Sequence, residues 1–239
     1  MASSFASTDN TMSAELERFY GLIERLGATV SGFRRLRRCS GRDGWPLSGV
    51  YYFFDQRESR GDGSGSRVVR VGTHGLTPGS GSSLWGRLRQ HRGTMTGGRP
   101  GGGNHRASVF RYHVGGALLA RDGDPGGLLA TWLARRLPRS EVAEPEHETE
   151  VRVSEYIGDL PFLWLAVEDG AERGWLERSS IGLLTSEDAR TGAPSAEWLG
   201  RHAQSQAILS SGLWNVNHVG KAFDQRFLDT LEERIGGMA

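Results

Sequence analysis

The sequence predicts a mixed α/β fold, and three patterns within its 239 residues support this. The apolar runs GVYYFFDQ at 49–56 and VVRVG at 68–72 are joined by the turn-forming string RESRGDGSGS, as expected for an antiparallel hairpin with a long loop. The continuous apolar run PFLWLAV at 161–167 is typical of a central strand. Several other segments carry apolar residues at helical spacing.

The helices follow from apolar spacing and end signals, taken in chain order. The first is predicted over 13–26, with Ser13 as N-cap and Gly27 as C-terminal stop. A second begins at Ser82 or Ser83 and ends at Gly93, and the glycine-rich segment 93–104 then forms a loop. Further helices are predicted over 126–137, 175–184, 196–209 and 223–236. Residues 107–119 have mixed period, and the acidic segment SEVAEPEHETE at 140–150 is expected to be solvated.

Composition excludes several classes of protein. No apolar run approaches the roughly 20 residues needed to span a bilayer, and the N-terminus lacks the features of a secretion signal. Cys39 is the only cysteine, which excludes an intrachain disulfide and a cysteine-rich zinc site. The glycine-rich GSGSSLWG at 79–86 lacks the lysine of an NTPase phosphate loop. We therefore expect a cytoplasmic protein with no membrane partner.

Charge is distributed unevenly along the chain. Residues 32–121 contain sixteen arginines and four acidic residues, a net charge of +12, whereas residues 122–239 contain eleven basic and twenty acidic residues, a net charge of −9. Such asymmetry is expected of a face that binds phosphates, and a solvated surface is the alternative. Arg70, Arg89, His105 and Arg106 lie in this basic segment and are candidate nucleic-acid contacts.

A small set of residues has the chemistry that phosphodiester hydrolysis requires: a group that activates water, a cation near the phosphate and a carboxylate for a divalent ion. The hairpin contains Tyr51. Arg87 and His91 are four residues apart on the next predicted helix and project from one face. Glu177 lies on the helix after the apolar strand, and Asn215 follows in a late loop.

Each of these residues also has an ordinary structural explanation. Tyr51 fits a strand core, and a histidine near a helix C-terminus is stabilised there by the helix dipole. Glu177 could be a surface carboxylate paired with a neighbouring arginine, and Asn215 could cap a turn. The functional interpretation depends on their occurring together in one order.

That order resembles the GIY-YIG nuclease superfamily. Gly49-Val50-Tyr51 resembles the first half of the family's signature, and Arg70-Val71-Gly72 resembles the second half. Arg87 is similar to the arginine of the following helix, and His91 to a histidine four residues later in the restriction-enzyme branch. Glu177 resembles the family's metal-binding glutamate, and Trp214-Asn215 its closing aromatic-Asn pair.

The resemblance implies a small antiparallel three-stranded sheet flanked by helices, with glycines where backbones approach closely. It implies an endonuclease that uses Mg²⁺, or Mn²⁺, bound by Glu177. In that interpretation Tyr51 is the general base, Arg87 stabilises the phosphate, His91 assists proton transfer and Asn215 orients the metal or the phosphate. The domain would cover 46–239, with insertions at about 93–160 and a C-terminal helix, preceded by a helix and basic connector at 1–45.

The sequence departs from the family pattern in two places. Arg70 stands where the family usually has a tyrosine, and Tyr52, which could replace that hydroxyl, points to the opposite face. Eighteen residues separate Tyr51 from Arg70, which is long for the family. Asn217 and His218 are alternatives to Asn215.

Three functions fit these observations. The first is a DNA endonuclease without a separate DNA-binding domain, since no zinc finger or helix-turn-helix pattern is present. The second is a catalytically silent module of the same fold that binds nucleic acid, which the arginine at position 70 favours. The third is an RNA endonuclease. Oligomeric state is left open.

Overall fold

The computed structural model describes residues 13–77, 79–187 and 192–238, and over these ranges the chain forms four β-strands and nine α-helices. The strands are β1 (Arg34–Arg35), β2 (Gly49–Ser59), β3 (Ser66–Gly72) and β4 (Pro161–Ala166). The helices are α1 (Ala14–Thr29), α2 (Leu84–Arg92), α3 (Val109–Arg121), α4 (Leu129–Leu133), α5 (Arg139–Val142), α6 (His147–Asp159), α7 (Gly170–Leu184), α8 (Gln206–Ser211) and α9 (Phe227–Gly236). Residues 1–12 of the predicted N-terminal segment lie outside the described residues, as do Pro78, residues 188–191 and Ala239.

The strands form one antiparallel sheet in the order β1-β4-β2-β3, which confirms the predicted α/β fold with a small antiparallel sheet flanked by helices. β4 lies between β1 and β2, so the prediction of a central strand there is also confirmed. The sheet has a fourth strand because Arg34 and Arg35 pair with the start of β4. Two residues are too few for a periodic signal.

The hairpin differs from its prediction. We expected a long loop, but β2 continues to Ser59 and β3 begins at Ser66, with a hydrogen bond of 2.8 Å from Arg60 N–H to the Gly65 carbonyl closing the turn. The polar residues at these strand ends are retained in the sheet by ion pairing, since Arg67 and Glu58 form a buried salt bridge of 3.2 Å. The register shifts between Phe53 and Phe54 and again after Asp55, as a β-bulge requires.

α1 and α2 begin at their predicted N-cap residues, but the predicted stop at Gly27 was wrong, because α1 continues through this residue to Thr29. Ser13 Oγ accepts the Leu16 N–H at the start of α1, and Ser83 Oγ accepts the Gly86 N–H at the start of α2. α2 ends at Gly93, whose φ of 87° suits glycine.

Other helix predictions were wrong in extent or type. The helix expected over 126–137 is limited to α4. The helix expected over 196–209 is divided into a 3₁₀ turn at Leu199–His202 and α8, because the ring of Trp198 packs over Gly200 and against Trp214. Residues 107–119 mostly belong to α3, which begins after Ser108.

The expectation that 140–150 is solvated was wrong in part, since Glu141, Glu144 and Glu148 are exposed but several other residues of the segment are not. This segment includes α5 and the start of α6, and its Glu146 and Glu150 are buried. Both carboxylates pair with arginines from the basic segment, Glu146 with Arg106 and Glu150 with Arg111. Paired charges can be buried where unpaired ones cannot.

Helices cover both faces of the sheet. On one face Phe19 of α1 packs edge-on against Tyr52 at 6.0 Å between ring centroids. On the other, Phe53 packs against Phe110 of α3 at 5.5 Å, next to the side chains of α2. None of the helices in the described ranges combines the length and apolarity needed to cross a membrane.

Candidate active site

Tyr51 and His91 meet beneath the second face of the sheet. The Tyr51 hydroxyl and His91 Nε2 are hydrogen-bonded at 2.9 Å, and both side chains are fully buried. Burial lowers the pKa of His91 well below its ordinary value, and the charges of Arg87, Arg70 and Arg111 lower it further. His91 is therefore an uncharged imidazole at neutral pH.

Ser108 extends this contact into a chain of three side chains. His91 Nδ1 is 2.9 Å from Ser108 Oγ, which also accepts the Arg111 N–H at 3.3 Å as the N-cap of α3. Sequence reasoning did not identify Ser108 as a site residue. The only sequence signal was its position as a serine in front of a helical segment.

Two signature glycines allow close packing of protein atoms. A Cβ at Gly72 would lie 2.4 Å from the Tyr51 hydroxyl oxygen, and a Cβ at Gly49 would lie 2.4 Å from the Leu165 carbonyl oxygen of β4. Side chains at these two positions would therefore displace the tyrosine or the neighbouring strand. The close approach that the family signature implies at Gly72 is therefore between the Gly72 backbone and the Tyr51 ring.

Arg70 lies inside the site. Opposite Phe53 in the hairpin register, it shares a face with Tyr51 and is 7% exposed. Its Nη1 donates to the Trp214 carbonyl, and its guanidinium lies over the Phe110 ring at 4.9 Å. Burial lowers the pKa of Arg70, opposed by the neighbouring Tyr51. Its buried Nε has no hydrogen-bond partner within the described structure.

Glu177 on α7 reaches the same place from the end of β3. Burial raises the pKa of its carboxyl, although Arg70, the Thr73 backbone N–H and Arg87 each favour the charged form. Glu177 is partly buried, and it forms no salt bridge with any other described residue. The fold therefore brings Tyr51, His91, Arg70 and Glu177 together.

The single carboxylate of this set is compatible with a divalent ion that takes most of its ligands from water and substrate. Within the described ranges, no group of three or more His, Cys, Asp or Glu side chains is placed to hold an ion. Mg²⁺ is usually held through one or two carboxylates and substrate phosphates, with water completing the shell. Burial disfavours the charged form of the Glu177 carboxyl, and a bound cation would offset this desolvation cost.

Arg87 is the most accessible cation of the site. It is partly exposed, and its Nη1 donates to Gln90 Oε1 at 2.9 Å and to the Ala107 carbonyl at 3.4 Å. Neither partner carries a negative charge, so the positive charge of Arg87 is available to a phosphate.

The side chain of Asn215 is hydrogen-bonded to the edge strand β3. Its Oδ1 accepts the Val71 N–H at 3.1 Å, and its Nδ2 donates to the Val71 carbonyl at 2.8 Å. The preceding Trp214 N–H donates to the Val69 carbonyl at 2.7 Å, so this segment runs along β3. Asn217 is exposed. The role of Asn215 in orienting a metal or a phosphate stays a prediction.

Two candidate nucleic-acid contacts lie in a separate buried network. His105 stacks on Trp132 at 3.7 Å, and its Nδ1 and Nε2 contact Glu150 at 2.9 Å and the Trp132 carbonyl at 3.0 Å. Arg106 makes two hydrogen bonds to Glu146, at 2.6 and 2.9 Å. A phosphate could reach His105 only if this network opened, whereas Arg106 is partly exposed with its charge paired to Glu146.

Much of the basic excess in residues 32–121 is neutralised within the fold. Nine of its sixteen arginines form salt bridges in the described structure: Arg34, Arg37, Arg57, Arg60, Arg67, Arg99, Arg106, Arg111 and Arg121. Several of the partners, such as Asp159 and Glu144, come from the acidic half. The asymmetry along the chain therefore does not become one uniformly basic face.

A family model for the GIY-YIG domain matches residues 10–239. The chain belongs to the GIY-YIG family. The predicted resemblance is confirmed, and the family indicates a nuclease-type function with a nucleic-acid substrate. GIY-YIG nucleases generally use divalent metal ions. No curated protein and no solved structure gave a significant match to the chain.

Proposed function

We propose that this GIY-YIG protein is a Mg²⁺- or Mn²⁺-dependent endonuclease that hydrolyses phosphodiester bonds in DNA in the cytoplasm. The observation that carries the proposal is the hydrogen bond between Tyr51 and an uncharged His91, beside Arg70 and Glu177. Burial and three arginines disfavour a charged His91, so transfer of the Tyr51 proton to His91 requires the negative charge of a bound phosphate nearby. A neighbouring guanidinium stabilises the charge left on the phenolic oxygen.

The proposed reaction starts with that proton transfer. With Nδ1–H donating to Ser108 Oγ, His91 Nε2 is free to accept the Tyr51 proton. The Tyr51 oxygen then takes a proton from the attacking water, whose oxygen forms a bond to phosphorus. One P–O ester bond breaks, and the leaving oxygen takes a proton from solvent.

The remaining residues bind the phosphate. Arg87 would donate hydrogen bonds to the charged oxygens of the phosphate, and Glu177 would hold the metal ion. The metal supplies positive charge next to the phosphate when bound. Because Tyr51 is fully buried, substrate binding must move a neighbouring side chain before water can reach the phenolic oxygen.

The test compares the parent with Tyr51→Phe and Glu177→Ala on plasmid, linear duplex, single-stranded DNA and RNA, with Mg²⁺, Mn²⁺ or EDTA. Matched controls are Tyr52→Phe, on the opposite face of the strand, and Glu168→Ala, an exposed carboxylate before α7. We expect metal-dependent cutting of DNA by the parent and controls, with a loss on the order of 100-fold or more in the two site variants.

Two other results would replace this proposal. Preferential cutting of RNA would assign the RNA endonuclease. Equal inactivity of parent and site variants, with nucleic-acid binding retained, would assign the silent module.

A further inference from the structure

A groove of about 380 Å³ lies between α2 and the loop that follows it. Arg89 and Arg92 line the groove together with uncharged residues of the 93–107 segment. No Asp or Glu is among its described lining residues. The cavity on the other side of the loop is different, because three glutamates accompany its arginines: Glu144, Glu146 and Glu150. A groove with cations and no carboxylates favours an anionic occupant.

Neither arginine of the groove is neutralised by a carboxylate. Neither forms a salt bridge within the described ranges, and Arg89 is exposed. Arg92 is held over the Trp85 ring at 5.0 Å, and one of its nitrogens donates to the Cys39 carbonyl at 2.5 Å. The two side chains are three residues apart on α2 and project from neighbouring positions of one face.

The loop that forms the outer wall of the groove is held by hydrogen bonds within its own backbone. The Thr94 N–H donates to the Gly102 carbonyl at 2.7 Å, and the Gly101 N–H donates to the Thr94 carbonyl at 2.8 Å. These two bonds close the loop between them. The wall also presents the hydroxyls of Thr94 and Thr96, which can donate to phosphate oxygens.

The groove begins at the candidate active site. Arg87 donates to Gln90 and to the Ala107 carbonyl, and both of these residues also line the groove. A strand whose phosphate reaches Arg87 could therefore continue directly between Arg89 and the loop.

We propose that this groove binds the sugar-phosphate backbone of the substrate strand beside the cleaved bond, with Arg89 and Arg92 each contacting a phosphate. This inference rests on the proposed function, and it adds Arg92 and Thr96 to the residues that contact nucleic acid. The groove supplies backbone contacts, which position a strand without reading its sequence.

The test is equilibrium binding in EDTA, with labelled single-stranded DNA, duplex DNA and RNA at several salt concentrations. Arg89→Ala removes one exposed cation, and Thr96→Glu adds a carboxylate to the exposed wall. The controls are Arg226→Ala, an exposed arginine paired with Asp224, and Gln204→Glu, which adds a carboxylate elsewhere with little change of shape. None of the four positions is buried, so folding should be retained; thermal unfolding checks this.

We expect Arg89→Ala to weaken binding on the order of tenfold at low salt and to reduce the slope of log K against log salt by about 0.7–0.9. Thr96→Glu should also weaken binding, and both controls should match the parent. If the parent binds and cuts DNA while both groove variants bind as it does, the groove is refuted and the proposed function stands. If the parent binds none of the nucleic acids, both proposals fail.

Discussion

Gly72 packs against the Tyr51 ring, and its replacement by alanine tests whether this packing positions the phenol. A Cβ at residue 72 would lie 2.4 Å from the hydroxyl oxygen, 2.5 Å from Cζ and 2.7 Å from Cε2, whereas ordinary contacts lie at 3.4–4 Å. The ring must therefore move by about 1 Å. The φ angle of Gly72 is not in the left-handed region, so steric overlap is the whole effect.

Two costs follow from that movement. Overpacking of a core typically costs roughly 1–3 kcal/mol. A shift of this size also breaks the 2.9 Å hydrogen bond to His91, and a buried polar group left without its partner costs about 1–3 kcal/mol. We expect Gly72→Ala to lower the free energy of unfolding by roughly 2–6 kcal/mol. If Tyr51 is the base, its misplacement should also lower the cleavage rate on the order of 100-fold.

Chemical denaturation and single-turnover cleavage measure the two effects separately. Gly21→Ala is the control, because an added Cβ there meets nothing within 4 Å and alanine favours the exposed helix by about 1 kcal/mol. In a Tyr51→Ala background, Gly72→Ala should cost close to nothing, since the ring it strikes is gone. Full stability of Gly72→Ala in the parent background would refute the reasoning.

Three further predictions concern other polar groups. Ser108→Ala removes the hydrogen-bond partner of His91 Nδ1 and the N-cap of α3. The free energy of unfolding should therefore fall by about 1 kcal/mol, and cleavage should slow. Ser108→Thr should retain both the stability and the cleavage rate, as measured by denaturation and by cleavage kinetics. Burial, aided by Arg70 and Arg135, lowers the pKa of His113 to about 4 from 6.5, so the unfolded chain binds its proton first and stability falls as pH drops from about 6.5 towards 4. The loss from pH 7.5 to 5.5 should be smaller in His113→Gln by roughly 1 kcal/mol, and an equal loss in parent and variant would contradict the assignment. Glu150→Ala should lower the free energy of unfolding by about 3–5 kcal/mol, because Arg111 is left buried and unpaired. Glu144→Ala breaks an exposed ion pair, and in the same denaturation assay it should lower the free energy of unfolding by less than about 1 kcal/mol.

Local patterns in the sequence predicted the strands and helices that carry the site. Alternation in the first strand separated Tyr51 from Tyr52, and the structure places them on opposite faces of the sheet. Helical spacing placed Arg87 and His91 one turn apart on α2. Cap residues marked the start of α1 and α2, because an N-cap bond joins residues only three positions apart.

The same local reasoning failed where an element depends on distant partners. The acidic segment at 140–150 was expected to be solvated, but Glu146 pairs with an arginine 40 residues away. The helix predicted over 196–209 is interrupted by the packing of Trp198 on Trp214. Propensity and period describe a segment alone, and tertiary contacts can override both.

The sequence by itself determined the family signature, the three longer strands and the face on which Tyr51 projects. Only the tertiary structure decided that Arg70 is buried beside Tyr51, that Ser108 contacts His91, and that Asn215 pairs with Val71 from 144 residues away. It also decided which arginines are neutralised and which remain available near α2. The physical reason is that burial and ion pairing depend on which surfaces the fold brings together. Desolvation changes the pKa of an ionisable group, and the free-energy cost of its charge, far more than the residues next to it in the sequence do.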